Sequence, residues 1–276
     1  MLALITRLRH GPLSHFSGWT VAGRAYRSLQ HRLGWPRSAS KRVGRYGPFQ
    51  LDGRFAFSDY GNWGKGHNSG FETCIELCRG KKCVLDIGAH IGLVSLPVSS
   101  VLAAGGRVFA FEPAEGNLHY LRRHVSLNRF ANVEVVDCLV GSVERDEVSF
   151  FEEGGDSGLN SMARPTRTGF AETKRRQVTV DGFCASRSLQ PDVIKIDVEG
   201  AELDVLRGAR NVLGFVRPRI VLSVHPRHMT AMGASVAELE RFIRDCSYTV
   251  TTVAGGSAST LEFGEYLLNP SEEVAP

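Results

Sequence analysis

Short apolar runs that end in an acid recur along this chain, and helical stretches follow them. That alternation constrains the fold more than any other feature. Residues 84–87, 108–112, 133–137 and 193–197 (VLDI, VFAFE, VEVVD and VIKID) each suit one buried strand and are too short for a helix. Residues 92–104, 115–129 and 201–213 carry helical patterning, and Pro97 should kink the first or delay its start. A further buried strand at 220–225 precedes a helix at 236–246. Strands at 248–253 and 261–267, around Gly255-Gly256, close the series. Upstream, 46–62 reads as a β-hairpin turning at Asp52-Gly53, with Phe49, Leu51, Phe55 and Phe57 at period two. The glycine-rich loop 61–70 leads to a helix at about 71–79. Repeated strand–helix units predict an α/β fold, a mostly parallel sheet with helices on both faces and an antiparallel edge.

Charge divides the chain in two. The first 45 residues hold nine Lys/Arg and no acid, leaving 24 basic against 29 acidic residues in the remainder, a net −5. The reading is a basic leader, 1–45, before a single domain, 46–276, whose first part, 46–70, is hairpin and loop. A mildly acidic body argues against a nucleic-acid binder with a wholly cationic surface. Within the leader, the spacing predicts an amphipathic helix at about 21–34 with Ala22, Tyr26, Leu29 and Leu33 on one face. Docking on the domain is the preferred reading; contact with an anionic membrane surface is the alternative, and an organellar transit peptide a minor one. The six cysteines include no CxxC pair, which fits reduced, buried thiols in a cytoplasmic protein rather than a zinc knuckle. Residues 87–106 lack Asp, Glu, Lys and Arg, yet four Gly, three Ser, Pro97 and His90 make them strand, turn and helix rather than a membrane span.

Three motifs carry chemistry. In residues 84–92, VLDIGAHIG, a strand ending in Asp86 runs into a turn with Gly88 and Gly92, where backbone can approach a ligand closely. The spacing is not the GxGxxG of a pyrophosphate cradle, and Asp86 suits a cationic ammonium better than a diphosphate. Glu112 ends the next strand, where a carboxylate can accept bonds from both ribose hydroxyls. Asp137-Cys138, at the third strand end, is a place to read an adenine edge. In residues 192–202, DVIKIDVEGAE, Asp197 ends a strand adjoining the first two if the sheet reverses there, and Glu199 and Glu202 precede a helix whose dipole favours them.

DIGAHIG, FEP and IKIDVEGAE, with VLRGA behind them, resemble the FkbM family of S-adenosylmethionine-dependent methyltransferases over roughly residues 71–227. The resemblance implies a class I, Rossmann-like methyltransferase fold, a seven-stranded sheet with its last strand antiparallel. It also implies methyl transfer to a hydroxyl of a sugar, glycan or polyketide-like metabolite. Asp86, Gly88, Ala89, His90 and Gly92 would line the methionine side of the cofactor, Glu112 and Pro113 would hold the ribose, and Asp137 or Cys138 would adjoin the adenine. Asp197 would face the transfer centre. The chain departs from the family at His90, usually Asn, and at Ser223, often Glu.

An alcohol acceptor must lose its proton, so a neutral His or a carboxylate is needed nearby. His225, two residues beyond Ser223, is the first candidate base and Asp197 the second. Asp197, Glu199 and Glu202 also have oxygens a divalent ion would accept, but nothing in their spacing demands one, and no metal is expected. Residues 154–162, GGDSGLNSM, form a candidate lid, with Asn160, Ser161 and Glu199 as acceptor contacts and His67 and Asn68 above the site. A small-molecule or glycan acceptor and no nucleic acid complete the expectation, with peripheral contact to the inner face of a membrane left to residues 1–45. The competing readings are a nicotinamide-dependent oxidoreductase, and a non-catalytic membrane or nucleic-acid module acting through the leader.

Overall fold

The structure, a computed structural model, describes residues 37–65, 68–153 and 168–271. The amphipathic segment 21–34, His67, Asn160 and Ser161 lie outside them. The first element is a hairpin of β1 (Ser38–Val43) and β2 (Tyr46–Asp52), reversing through Gly44 at φ +55°. The hairpin is therefore displaced from the one expected. Phe49 and Leu51 pair backward with Lys41 and Ala39, because Asp52 caps a short 3-10 turn, Gly53–Phe55, by accepting the Arg54 N–H at 2.8 Å. Residues 38–43, read as the end of the leader, are thus the sheet partner of β2. The hairpin docks on the core through a reciprocal pair of 2.8 Å bonds between the Gln50 backbone and the Asn128 amide.

The alternating units follow: α1 (Phe71–Cys78), β3 (Cys83–Ile87), α2 (Ser95–Val101), β4 (Arg107–Phe111), α3 (Glu115–Leu127) and β5 (Val133–Val136). Pro97 lies in the first turn of α2, which begins three residues after Gly92, as its fixed φ and missing N–H require. Next come β6 (Leu139–Val140), β7 (Arg145–Glu152) and β8 (Ala171–Val178), a small separate sheet, then α4 (Val180–Ser186). The last part holds β9 (Val193–Ile196), α5 (Glu202–Arg207), a π-helical turn (Val212–Val216) and β10 (Arg219–Val224). It ends with α6 (Pro226–Ala231), α7 (Val236–Asp245), β11 (Tyr248–Thr252) and β12 (Gly264–Pro270).

The main sheet has seven strands in the order β11-β12-β10-β9-β3-β4-β5. Neighbours from β10 to β5 are parallel, while β12 runs antiparallel between β10 and β11. The antiparallel strand therefore lies one place in from the edge. Alternation along each strand feeds two cores. Leu85, Ile87, Phe109, Phe111, Ile194 and Ile196 point to one face. Val84, Val108, Ala110 and Val193 point to the other, under α1, α2 and the hairpin. α7 shows how local chemistry starts an element: Ser235 and Glu238 form a reciprocal capping box, and Leu239, Phe242 and Ile243 turn to the first core. Among the described residues, no helix is long and apolar enough to cross a membrane.

The chain leaves β3 toward β4 and β5 in one direction and returns to β9 and β10 in the other. The order reverses between β3 and β9, and in open α/β sheets ligands bind outside the strand carboxyl ends at such a point.

Candidate active site

A cavity of about 550 Å³ opens at that reversal, walled by the ends of β3, β4, β9 and β10 and by residues of β12 and α1. Register explains its shape. Ile87 is level with Phe111 on β4 and Ile196 on β9, so Gly88, Glu112 and Asp197 emerge side by side. The backbones cross so closely that a Cβ on Gly88, held at φ +82°, would stand 1.8 Å from the Asp197 carbonyl oxygen. Only glycine fits there. The Gly88 and Ala89 N–H groups both donate to the Phe111 carbonyl, at 3.0 and 2.8 Å.

Glu112 is 5% exposed, and its carboxylate accepts from the N–H groups of His90 (2.8 Å) and Ala114 (3.0 Å) and from the Asn117 amide (3.1 Å). Burial raises its pKa, against the lowering pull of His90, Asn117 and the backbone donors. Three donors hold this carboxylate in one orientation at the cavity wall. Ala89, His90 and Pro113 also line the cavity, and Cys138, Val140 and Phe150 supply an apolar surface beyond them. Burial pushes the Cys138 thiol up to about 12, so it behaves as a small apolar group.

Three residues expected to touch the cofactor, Asp86, Gly92 and Asp137, do not line the cavity. Asp86 is fully buried and absent from the wall, because the cation it faces is the chain's own. Lys195, its register partner on β9, places its ammonium 3.2 Å from Asp86 Oδ1, and the Ser95 hydroxyl donates to Oδ2 at 2.5 Å. Asp137 turns away to an ion pair with Arg122 at 2.9 Å. Gly92, at φ +92°, packs against Leu121 and lets the turn enter α2.

The other half of the cavity is crowded with ionisable groups. His225, at the N-terminus of α6, sets Nδ1 2.7 Å from Glu202 Oε1, while Nε2 lies 3.8 Å from Asp197 and 3.7 Å from Glu199. Burial alone would lower its pKa; the bond to Glu202 and the charges of Glu199, Asp197 and Glu202 outweigh that and raise it to about 9. The surrounding carboxylates therefore favour the protonated ring, whereas the expected role as base needs the neutral one. Its ring stacks on His228, whose Nδ1 is 2.8 Å from Glu199. Glu202 is completely buried and accepts the Gly200 N–H at 3.0 Å through the oxygen that meets His225. It is thus more than a helix-dipole residue. The ligating atoms of Asp197, Glu199 and His225 lie within 4.8 Å of one another, a spacing that a metal ion could bridge.

Three further wall residues escaped the sequence reading. Lys195 points its ammonium to the Gly88 carbonyl at 2.6 Å, with Asp197 3.8 Å away. Burial opposes its charge, but Asp86 and Asp197 hold its pKa above that of an ordinary lysine. A lysine inside the apolar run VIKI was the available signal. Glu265 of β12 stands opposite Ser223 and accepts the Gly70 N–H at 2.6 Å. It returns a carboxylate to the wall beside the serine, and burial raises its pKa. Phe263, 74% exposed, sets its ring edge against His225 at the cavity mouth. Neither residue carries a motif; Glu265 reaches the site through strand pairing and Phe263 lies just before that strand. Asn68 also lines the cavity.

A family profile described as the methyltransferase FkbM domain matches residues 86–250. The AMB antimetabolite synthetase AmbE of Pseudomonas aeruginosa is 30% identical over 207 residues, which are 61% of this chain and 10% of that protein. Methyltransferase 1 of Beauveria bassiana is 29% identical over 149 residues, 45% of this chain and 57% of that protein. The chain thus matches only part of each relative's length. A crystal structure of methyltransferase FkbM from Methylobacillus flagellatus aligns with a TM-score of 0.45 at 21% identity, covering 69% of this chain and 44% of that one.

Proposed function

The chain belongs to the FkbM methyltransferase domain family, and from that premise we propose that it is an S-adenosylmethionine-dependent methyltransferase acting on a hydroxyl of a sugar, glycan or polyketide-like metabolite. The observation that carries the reading is the level emergence of Gly88, Glu112 and Asp197 across the β3–β9 reversal. The residues fit this cofactor. Gly88 makes a cradle that a Cβ would fill, Glu112 offers a buried, oriented carboxylate to a ribose diol, and Cys138, Val140 and Phe150 offer an apolar surface to an adenine. The acidic half beyond suits a cationic sulfonium. Bound there, the cofactor supplies an activated methyl group, so the protein's main contribution is alignment.

The remaining work falls to this chain's own side chains. Asp197 and Glu199 line the acceptor half and accept the hydrogen bond of an incoming hydroxyl, whose proton leaves into their carboxylate cluster. Lys195 holds Asp197 toward the sheet, while Glu202 and His228 fix His225 and Glu199. A nicotinamide-dependent reaction is disfavoured by the absence of GxGxxG. Thermal shift tests the reading. S-adenosylhomocysteine should raise the melting temperature and NAD(P) should not; stabilisation by NAD(P) alone would overturn it. Labelled cofactor with extract from the source cell, followed by mass spectrometry, identifies the acceptor.

A further inference from the structure

We propose that Asp197, Glu199 and His225 form a binding site for one divalent first-row cation, with Glu202 as the carboxylate that orients the histidine. The distances are the first argument. His225 Nε2 stands 3.8 Å from Asp197 Oδ1 and 3.7 Å from Glu199 Oε2, beyond hydrogen-bond length but within reach of a shared ion. Donors at roughly 2.1 Å from a shared ion stand about 3.0–3.5 Å apart. All three ligating atoms already lie within 4.8 Å of one another, so side-chain rotations without backbone movement would bring them to that spacing.

The partner of the other ring nitrogen is the second argument. Metal-bound histidines characteristically give their free N–H to a carboxylate, which sets the tautomer and strengthens the ligand. His225 Nδ1 has that partner in Glu202 Oε1 at 2.7 Å, leaving Nε2 for the ion. Glu202 is 0% exposed, and its second oxygen has no hydrogen-bond partner among the described residues. An uncompensated buried carboxylate is costly, and a nearby dication offsets it. The local balance agrees. Asp197, Glu199 and Glu265 line this half with Glu202 buried behind His225, while the ammonium beside them, Lys195, is shared between Asp86 and Asp197.

Two carboxylates and one imidazole leave coordination positions open toward the cavity, as in catalytic rather than structural metal sites. The site itself rests on this cluster alone; its role rests on the methyltransferase reading. A hydroxyl of the acceptor bound to the cation becomes more acidic. The O–H bond breaks with its electron pair left on oxygen, the proton passes through the cluster to water, and no oxidant or reductant is needed.

Manganese titration of the full chain, followed by electron paramagnetic resonance, tests the site. Saturable uptake of one Mn²⁺ per chain is expected, with spin-echo modulation from a directly bound nitrogen. Asp197→Asn and Glu199→Gln should each abolish saturation while the circular dichroism stays unchanged, and Glu202→Gln should weaken binding about tenfold or more. Absence of saturable binding, absence of the nitrogen signal, or binding indifferent to Glu199→Gln would overturn the proposal. Calorimetry with S-adenosylhomocysteine on the same metal-free sample separates the two readings. Failure there removes the cofactor reading and leaves the cation result standing.

Discussion

The two halves of the cavity are built by different means. The half at β3 and β4 is made by backbone: a left-handed glycine, N–H groups shared at one carbonyl, and a carboxylate held by three donors. The half at β9, β10 and β12 is made by side chains, with three carboxylates meeting His225 and a buried lysine behind them. Backbone walls admit few substitutions, because their atoms belong to the sheet itself. Side-chain walls change one residue at a time. Under the proposed function the first is the cofactor half, suited to a ligand common to a family, and the second the acceptor half, suited to an acceptor that differs between its members.

Breaking the backbone half should cost most. Gly88→Ala drives a Cβ against the Asp197 carbonyl, so we expect loss of S-adenosylhomocysteine binding and of more than about 4 kcal/mol of stability by urea unfolding. A variant that binds and unfolds as the parent would show that the crossing relaxes cheaply.

Acid should come next, acting beneath the same half. His124 of α3 is buried with Nδ1 2.8 Å from the Ile91 carbonyl, and burial lowers its pKa from 6.5 to about 4. The unfolded chain therefore binds the extra proton between those values. Stability falls as pH drops from about 6.5 toward 4, by roughly 3 kcal/mol from this group. In His124→Gln that part of the pH slope should vanish in denaturant titrations.

A smaller effect separates ligand binding from folding. Glu112→Gln loses the negative charge that gathers the His90, Ala114 and Asn117 donors, and affinity for S-adenosylhomocysteine should fall about tenfold or more, by 1.5–3 kcal/mol. Equal affinity by calorimetry would remove Glu112 from the cofactor site. The smallest change in stability, within about 0.5 kcal/mol, is expected of exposed Phe263→Ser. It should raise KM for the methyl acceptor while leaving S-adenosylhomocysteine binding alone; if cofactor binding moved instead, Phe263 would belong to the other half.

The contrast also explains what was legible in the sequence. The cofactor half lies in unbroken motifs, since Gly88, Ala89, His90, Glu112 and Pro113 fall within a few residues of two strand ends. Local periodicity reaches that far. The acceptor half is joined by sheet pairing across distance: Glu265 arrives beside Ser223 from an antiparallel strand more than forty residues away. Asp86 misled because its partner, Lys195, depends on β9 lying next to β3, and an acid at a strand end looks the same whether it faces a ligand or a neighbour. The hairpin was misplaced by one strand because Asp-Gly signals a turn without saying which flank pairs.

The insertion of β12 between β10 and β11 has a consequence for synthesis. A ribosome delivers the strands of the cofactor half first, and β10 then waits with one edge open until residues 264–270 emerge. Until Glu265 arrives, the Gly70 N–H lacks its acceptor and the acceptor half has no outer wall. An unpaired strand edge invites pairing with other chains. A nascent chain stalled near residue 250 would therefore hold a half-built pocket and an aggregation-prone edge together, and both are resolved by the same seven-residue strand.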